Sequence, residues 1–477
     1  MPNAFATLTL VLWPLFSVFL FRRLPVGRAL IGCLLLAYLF LPTYPTGFDL
    51  PLLPLLGKDV IPAVSALIIC ASYYRDKLDI LPASILARGF IVLFILSPVA
   101  TTLTNSDPIQ YTLYLQPGMR IREAVPLMFQ NAFLVLPFLL ARRFLASAGD
   151  QRDMLWALLF GGLIYALPMM VEVVLSPQLN IWVYGYFQHI FSQMVRGDAY
   201  RPIVFLNHGL LVAFFAMTAT LAAAALARAS TGKTRVQLVL ATVFLFAMLA
   251  LCRSLGSMIY AIVLLPVVMV FALRMQLMVA VSFAVLVLAY PVLRGAEAVP
   301  TDQILAIAHE ISPERENSLA IRFNNEAALL ERASERPVFG WGMWARNHII
   351  DPTDGRILSI SDGHWVIVIG AFGWLGFVAK FGLLTLPIFM LWTKSVVARP
   401  PLIGRDGDET APLSVPLEPA AVVLSVLLGV NLADLIPNAS ITPLTWLMAG
   451  ALLGYAEHAR QFALRPQRPA FALRTVL

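Results

Sequence analysis

The residues of this chain that can do chemistry stand where apolar runs begin and end. Arg201 sits between Tyr200 and Pro202 as a long apolar stretch opens, and Arg253, in Cys252-Arg253-Ser254, interrupts almost forty apolar residues. Arg322 and Arg336 lie in a polar segment farther on, and Ser361-Asp362-Gly363-His364-Trp365 leads into another apolar run. Guanidinium is planar, permanently charged and bidentate to phosphate oxygens, so arginine held at a membrane boundary suits a lipid pyrophosphate. A leaving pyrophosphate needs its charge neutralised as its bond breaks. A hydroxyl attacking an anomeric carbon must lose its proton, and the Asp362 carboxylate or the His364 imidazole is a candidate to take it. Each position also has a plainer reading. Boundary arginines anchor at the interface, and Arg322 has Glu326 one helical turn on. Asp362 suits a Ser-Asp-Gly turn, and His364 an interfacial place beside Trp365. Arg253 fits the plainer reading least, because a charge inside an apolar run is costly.

The elements that must position these residues follow from composition. Of 477 residues, 59% are hydrophobic and 13% charged, and the mean hydropathy is +0.80. Soluble domains carry about 25% charged residues. That excludes a cytosolic enzyme, a disordered chain and a disulfide scaffold. Cys33, Cys70 and Cys252 are the only cysteines, too few and too scattered for a disulfide framework or a zinc site of usual spacing. The sequence predicts an all-α, polytopic helical membrane protein.

Apolar segments near the ~20 residues of a membrane span fall at about 4–21, 29–43, 59–73, 87–104, 124–141, 154–174, 204–227, 236–252, 254–273, 276–293, 365–393, 416–435 and 441–457. The second and third are short, and 365–393 reads equally as a surface helix followed by a span, so the expected number is twelve or thirteen. The first segment lacks a basic leader and ends in Phe21-Arg22-Arg23, which reads as a retained span. Basic residues set the orientation. Twenty lie in one set of loops, among them Arg22, Arg75, Arg142, Arg228, Arg274, Lys394, Arg399, Arg405 and the tail residues Arg460 to Arg474; thirteen lie in the alternate set, seven of them in one long loop. The first set is expected to be cytoplasmic, so the net charge of +7 reports orientation and not a nucleic-acid partner.

The expected organisation is transmembrane helices over 1–293, an outer-face loop subdomain over 294–363, further spans over 364–457 and a cytoplasmic tail over 458–477. The long loop holds eleven acids, and Ser318 to Glu335 reads as a helix with Ser318 as N-cap and Pro337 as its stop. A second outer loop, 175–203, is aromatic, with Trp182, Tyr184, Tyr186 and Phe187. Asp406 to Pro419 is a polar cytoplasmic loop. The phosphate loop GxxxxGK[ST] and the metal templates HExxH and CxxC are absent, so ATP-driven transport by this chain alone is not expected.

The order of these elements resembles the O-antigen ligase and Wzy-type polysaccharide polymerase superfamily, membrane glycosyltransferases that use polyprenyl-pyrophosphate-linked sugars. The resemblance rests on Arg201-Pro-Ile-Val-Phe205 followed by Asn207, on Cys252-Arg253-Ser254 at an outer span end, and on Arg336-Pro337-Val338-Phe339-Gly340-Trp341-Gly342 after the helix of the long loop. Its last element is Asp362, eleven positions before Gly373-Trp374-Leu375-Gly376. It covers about Arg201 to Phe377. The ligase branch places a histidine where Asp362 stands, and His364 comes two positions late, a departure that favours a polymerase. Cys252 replaces the usual serine.

The resemblance implies an all-helical bundle with the long loop folded over an outward cavity. It implies that Arg201 and Arg253 hold the pyrophosphate with Arg322 and Arg336 in support, while Asp362 or His364 orients or deprotonates the acceptor hydroxyl. It further implies a metal-independent inverting glycosyltransferase of the bacterial inner membrane, without a cofactor and with its active face periplasmic. Its substrates would be an undecaprenyl-pyrophosphate-linked glycan and an acceptor glycan or glycolipid, and its partners the lipid bilayer and a chain-length regulator or export proteins. Three other readings remain open: an O-antigen ligase acting on lipid A-core, a transporter or flippase with Glu172, Lys380 and Asp434 as coupling residues, and a non-catalytic scaffold.

Overall fold

Each of the thirteen apolar segments forms a helix, since backbone in hydrocarbon must satisfy its own hydrogen bonds. The structure is a computed structural model and describes residues 1–196, 199–397 and 417–463; Arg399, Arg405, Arg465, Arg468, Arg474 and most of the Asp406–Pro419 loop lie outside the described residues. The helices are α1 (Ala4–Arg23), α2 (Val26–Phe40), α3 (Ile61–Tyr73), α4 (Ile85–Leu103), α5 (Ala124–Phe144), α6 (Ala148–Leu175), α7 (Leu179–Tyr184), α8 (Gly209–Arg228), α9 (Gly232–Leu251), α10 (Leu255–Val270), α11 (Leu273–Gly295), α12 (Thr301–Ile311), α13 (Pro313–Ser334), α14 (His364–Trp392), α15 (Pro419–Asp434) and α16 (Pro443–Ala463). Eight described helices are long and apolar enough to cross a membrane, and four more are shorter and apolar. The chain is a multi-pass, all-α membrane protein. Strand is confined, among the described residues, to two antiparallel two-residue pairs, Ile109–Gln110 with Leu115–Gln116 and Val195–Arg196 with Ala199–Tyr200.

Helix α8 is the axis of the bundle: 89% of its apolar window is buried, against 22% for α9. Its alanines from Ala222 to Ala225 let neighbours approach closely, as small residues do between membrane helices. The same device joins α5 and α16, where a methyl on Gly450 or Gly454 would come within 2.1 Å of the Phe138 or Arg142 carbonyl oxygen.

Two expectations change here. The segment 365–393 is neither one straight span nor a surface helix followed by a span. At Gly373 the backbone is non-helical, with φ 65° and ψ −168°, a region essentially restricted to glycine. The chain doubles back there. The His364 ring lies 6.1 Å from that of Phe381, seventeen residues on, whereas a continuous helix would separate them by ~25 Å. The first arm of α14 is buried at Trp365, Val366, Val368 and Ile369. The Arg336–Gly342 turn fills the corner: Trp341 and Gly342 donate to the Gly370 and Ala371 carbonyls at 2.8 and 2.9 Å, while Trp374 and Leu375 donate to Pro337 and Val338 at 2.8 and 3.2 Å. The turn thus serves both cut ends of the helix. The second change concerns the loop helix α13, which begins at Pro313, with the Ser312 side chain capping Glu314 N at 3.2 Å. Proline pre-set for the first turn starts it, so Ser318 lies inside the helix. Its end at Ser334 agrees with the expected stop.

The loops gather by their alternation. At one end of the bundle Asn105 donates to the Gly340 carbonyl at 2.9 Å, Arg322 to Pro437 O at 3.1 Å, and the buried Tyr186 to Thr43 O at 2.6 Å. The aromatic loop is therefore packed on the end of α2. At the other end Arg28 pairs with Asp153 at 2.7 Å, and Arg142 with Glu457 at 2.6 Å.

Candidate functional site

Residues 201–208 were expected to open a span, but helix α8 begins only at Gly209. Pro202 has no N–H to give a helix, and Val204 has a φ of 51°. The segment is an irregular buried loop whose backbone groups find specific partners, as burial requires. Glu172 Oε2 accepts from Ile203 N at 2.8 Å and Val204 N at 2.7 Å, and Oε1 from Leu179 N at 3.1 Å. Tyr165 Oη accepts from Phe205 N at 3.1 Å. Lys58 Nζ donates to Phe205 O at 3.0 Å, and Gln188 to Val204 O at 2.8 Å. Glu172, one of the three acids and amines singled out as transport residues, is here the clamp of this loop.

The clamp sets Arg201. Its backbone N donates to Met194 O at 2.7 Å, its side chain is 5% exposed, and its stem crosses Gly209, where a methyl would stand 2.3 Å from Cδ. Its Nη2 donates to the Arg253 carbonyl at 3.0 Å. Arg253 occupies the reversal between α9 and α10 with a left-handed φ of 48°, which turns that carbonyl toward Arg201, while its own side chain is exposed. Two arginines distant in sequence are thus adjacent at one end of the bundle.

A second pair forms around Arg322. Its Nε lies 3.5 Å from Asp362 Oδ2, with both side chains about one-third exposed. Its Nη1 donates to Pro437 O and to Asn438 Oδ1 at 3.1 and 3.3 Å. The i,i+4 pairing with Glu326 does not form. Glu326 instead accepts from Arg294 Nε at 2.8 Å and Tyr290 Oη at 2.9 Å, because α13 lies against α11, and burial pushes its carboxyl above the usual range in spite of those partners. His364 parts company with Asp362. Its N donates to Leu435 O at 2.9 Å, and its Nε2 is buried without a hydrogen-bond partner among the described residues. It faces inward toward the second arm of α14, where Lys380 is 6% exposed.

The two pairs are linked across the bundle. Asp434 accepts from Asn438 Nδ2 at 3.0 Å and Ser440 Oγ at 2.8 Å, and stands within electrostatic reach of Arg322 and of Tyr260 on α10. Tyr260 packs at 6.5 Å from Phe214 on α8, the helix that carries Gly209 beneath Arg201. Arg336 belongs elsewhere. It donates to Thr104 O and lies 4.4 Å over the Trp341 ring, with Arg332 at 3.5 Å, so its contacts fasten the Gly373 corner to α4. Beside it Arg346, 2% exposed, donates to Trp341 O at 3.2 Å and Pro117 O at 2.8 Å, and burial lowers its guanidinium below the usual range. Sequence reasoning missed Lys58, Arg346 and Asn438. Lys58, a lone cation beside an apolar run, carried the one signal that was there to be read.

Among the described residues no group of three or more His, Cys, Asp or Glu side chains converges as metal ligands. Chemically, the site offers the Arg201 guanidinium beside the Arg253 backbone and, separately, the Asp362 carboxylate with Arg322 3.5 Å away. No protein-family model matches the chain, and no curated protein sequence matches it.

Proposed function

We propose that this protein is a membrane glycosyltransferase of bacterial surface-polysaccharide assembly, an O-antigen or exopolysaccharide polymerase of the inner membrane with its active face in the periplasm. The acceptor sugar hydroxyl gives its proton to Asp362, and its oxygen attacks the anomeric carbon of the donor glycan from the face opposite the leaving group. The bond from that carbon to the phosphate oxygen breaks, and undecaprenyl pyrophosphate departs with the electron pair. Arg201 and Arg253 meet the charge that develops on it, which is where preorganised donors act most strongly. The observation that carries this reading is the 3.0 Å contact from Arg201 Nη2 to Arg253 O: it joins two boundary arginines from separate elements, on the same end of the bundle as Asp362. Arg322, 3.5 Å from Asp362, is a positioning residue.

The test is polymer formation in a deletion strain complemented with variants. Arg201→Ala and Arg253→Ala should abolish polymer while the protein remains in the membrane, and wild-type polymer length and yield in both overturns the proposal. Asp362→Asn should cost more activity than His364→Ala, since His364 faces inward; the reverse ranking reassigns the base. The glycan profile of the deletion strain separates polymerase, which leaves core plus one repeat, from ligase, which leaves lipid A-core bare.

The interrupted α14 and the buried Lys380 favour a second reading, a flippase, because transporters use discontinuous helices at their sites. The Gly373 break, however, is filled by the chain's own 337–342 backbone. Lipid-linked repeat units accumulating on the inner leaflet of a deletion strain would favour the flippase, and on the outer leaflet the polymerase.

A further inference from the structure

Charge is unevenly shared at the end of the bundle opposite Arg201. Helices α8 and α10 run toward that end and α9 and α11 away from it, so the α8–α9 and α10–α11 turns both lie there. Arg228 ties the two turns together, its Nη1 donating to Val268 O at 2.8 Å and Phe271 O at 2.7 Å. Lys233 and Arg235 follow it at the start of α9, and Arg274 stands at the start of α11; all four residues are exposed. The side chains of Lys233, Arg235 and Arg274 make no hydrogen bond or ion pair among the described residues. From Ala199 to Ala296 the sequence holds no acid at all. The acids of neighbouring elements at this end are engaged elsewhere. Asp153 pairs with Arg28 at 2.7 Å and Glu457 with Arg142 at 2.6 Å, Asp150 accepts from Ser147 N at 3.0 Å, and Glu418 lies within electrostatic reach of Arg152.

Helix energetics do not favour cations in these places. The dipole makes the start of a helix a position for acids, and Lys233, Arg235 and Arg274 oppose that preference. Orientation in the membrane explains on which side basic residues lie, but acids weigh little in it, so it does not explain why acids are missing. The surroundings of the patch are apolar. Val236 and Leu240 on α9, Val270 on α10 and Met275 on α11 are exposed, and α9 is the least buried of the eight spanning helices. A water-borne anion would meet the cations and leave the apolar side chains bare. A phospholipid meets both, with its phosphate at the boundary and its acyl chains along the helices, and a cluster of basic residues at the end of a span draws anionic headgroups. We infer that this patch is a binding site for an anionic phospholipid, its phosphate held by Lys233, Arg235 and Arg274 and its acyl chains lying along α9 and α11. The site is remote from Arg201 and does not depend on the glycosyltransferase reading.

The experiment is native mass spectrometry of the purified full chain in detergent, titrated with dioleoylphosphatidylglycerol, dioleoylphosphatidylcholine or glycerol 3-phosphate. Phosphatidylglycerol should bind more tightly than phosphatidylcholine by about tenfold or more. Lys233→Gln, Arg235→Gln and Arg274→Gln should each weaken the first phosphatidylglycerol bound by about fivefold and together by about a hundredfold, as about 1 kcal/mol for each basic residue near an anionic surface implies. Arg228 stays in place because it holds the two turns together, and unfolding temperatures should match the wild type, since the substituted side chains have no partner to lose. Should the triple variant fail to fold, the single variants decide. Arg23→Gln, Arg75→Gln and Lys77→Gln together remove the same charge from the same end of the bundle; an equal loss in that variant reduces the effect to net charge and overturns the site. Equal binding of the two lipids, or unchanged binding in the single and triple variants, also overturns it, as does glycerol 3-phosphate bound as tightly as the lipid. A fivefold gain in lipid affinity on combining Asp406→Asn, Asp408→Asn and Glu409→Gln would assign the patch to the chain's own acidic segment instead, against the inference.

Discussion

Gly209→Ala is the sharpest perturbation of the arginine pair, because it leaves both arginines in place and moves one of them. The added methyl would stand 2.3 Å from Arg201 Cδ and 2.7 Å from Cγ, where ordinary contact begins at 3.4 Å. The stem must therefore retreat by about 1.1 Å, the difference between those distances, and Pro202 O, 3.1 Å from the methyl, closes off relaxation on that side. The guanidinium leaves its 3.0 Å contact with Arg253 O. A misplacement of about 1 Å in a positioned group costs on the order of 10²-fold in rate, or about 2.7 kcal/mol of barrier. The clash and the lost contact should also cost stability, by about 1–3 kcal/mol as overpacking does, so the rate is read per folded molecule. The assay is the rate of glycan transfer from a lipid-linked donor by the purified variant, with its apparent unfolding temperature measured alongside. The expected outcome is about a hundredfold loss of rate per folded molecule, with a modest fall in the unfolding temperature. A wild-type rate in Gly209→Ala, beside an inactive Arg201→Ala, would show that the position of the guanidinium does not matter and refute the reasoning.

Gly373→Ala puts a methyl 2.2 Å from Val338 O in a conformation that costs other residues about 1–3 kcal/mol; with overpacking of similar size, a loss of about 3 kcal/mol or more is expected, together with new protease cleavage in 313–335, and an uncut loop at wild-type stability contradicts it. Arg142→Ala and Glu457→Ala each strand a charge that is 3% exposed, so each should destabilise by about 3–5 kcal/mol and the double variant by less than the two together; additive losses would deny the pairing. Burial pulls the Lys58 amine from 10.5 down to about 8, so between those values the unfolded chain holds a proton that the folded chain has released, and stability should rise with pH across that window by about 3 kcal/mol. Thermal unfolding at pH 8 and pH 10 should show this gain in the wild type and not in Lys58→Met; parallel curves would exclude it.

The helices were legible because hydrocarbon imposes one rule on every span: the apolar runs fold as helix, and eight of the described helices are long and apolar enough to cross a membrane. What escaped prediction depended on partners far off in sequence. Gly373 in an apolar run looks like any tolerated helical glycine, and only the 337–342 backbone makes it a corner. Arg322 and Glu326 have the spacing of a helical pair, but Tyr290 and Arg294 claim Glu326 from another helix. Glu172 carries the composition of a transport residue; its role as a clamp is set by Ile203 and Val204, some thirty residues on. Arg201 and Arg253 were picked out by type and boundary position alone, and their adjacency required the fold. Asp362 and His364, two residues apart, could not be ranked from sequence, since which one faces inward depends on the reversal of α14.

These misses share a physical cause that bears on how the site works. Within a bundle of apolar helices, irregular backbone at membrane depth persists only where protein satisfies its polar groups. Among the described residues, three irregular stretches at one end each have a partner: Glu172 for the Arg201 loop, the 337–342 turn for the Gly373 corner, and Arg322 for the carbonyl of Pro437. None of these partners is needed to make a helical bundle, and each carries a cost in buried charge or restricted backbone. What they have in common is that they fix the Arg201 guanidinium, the start of α14 beside Asp362 and the turn after α15 against one another. Donors aimed in advance at a developing charge need no reorganisation when it forms, which is where electrostatic catalysis gains most. On the proposed glycosyltransferase reading, the cost of holding this end of the bundle irregular would be met in folding rather than at the moment of transfer.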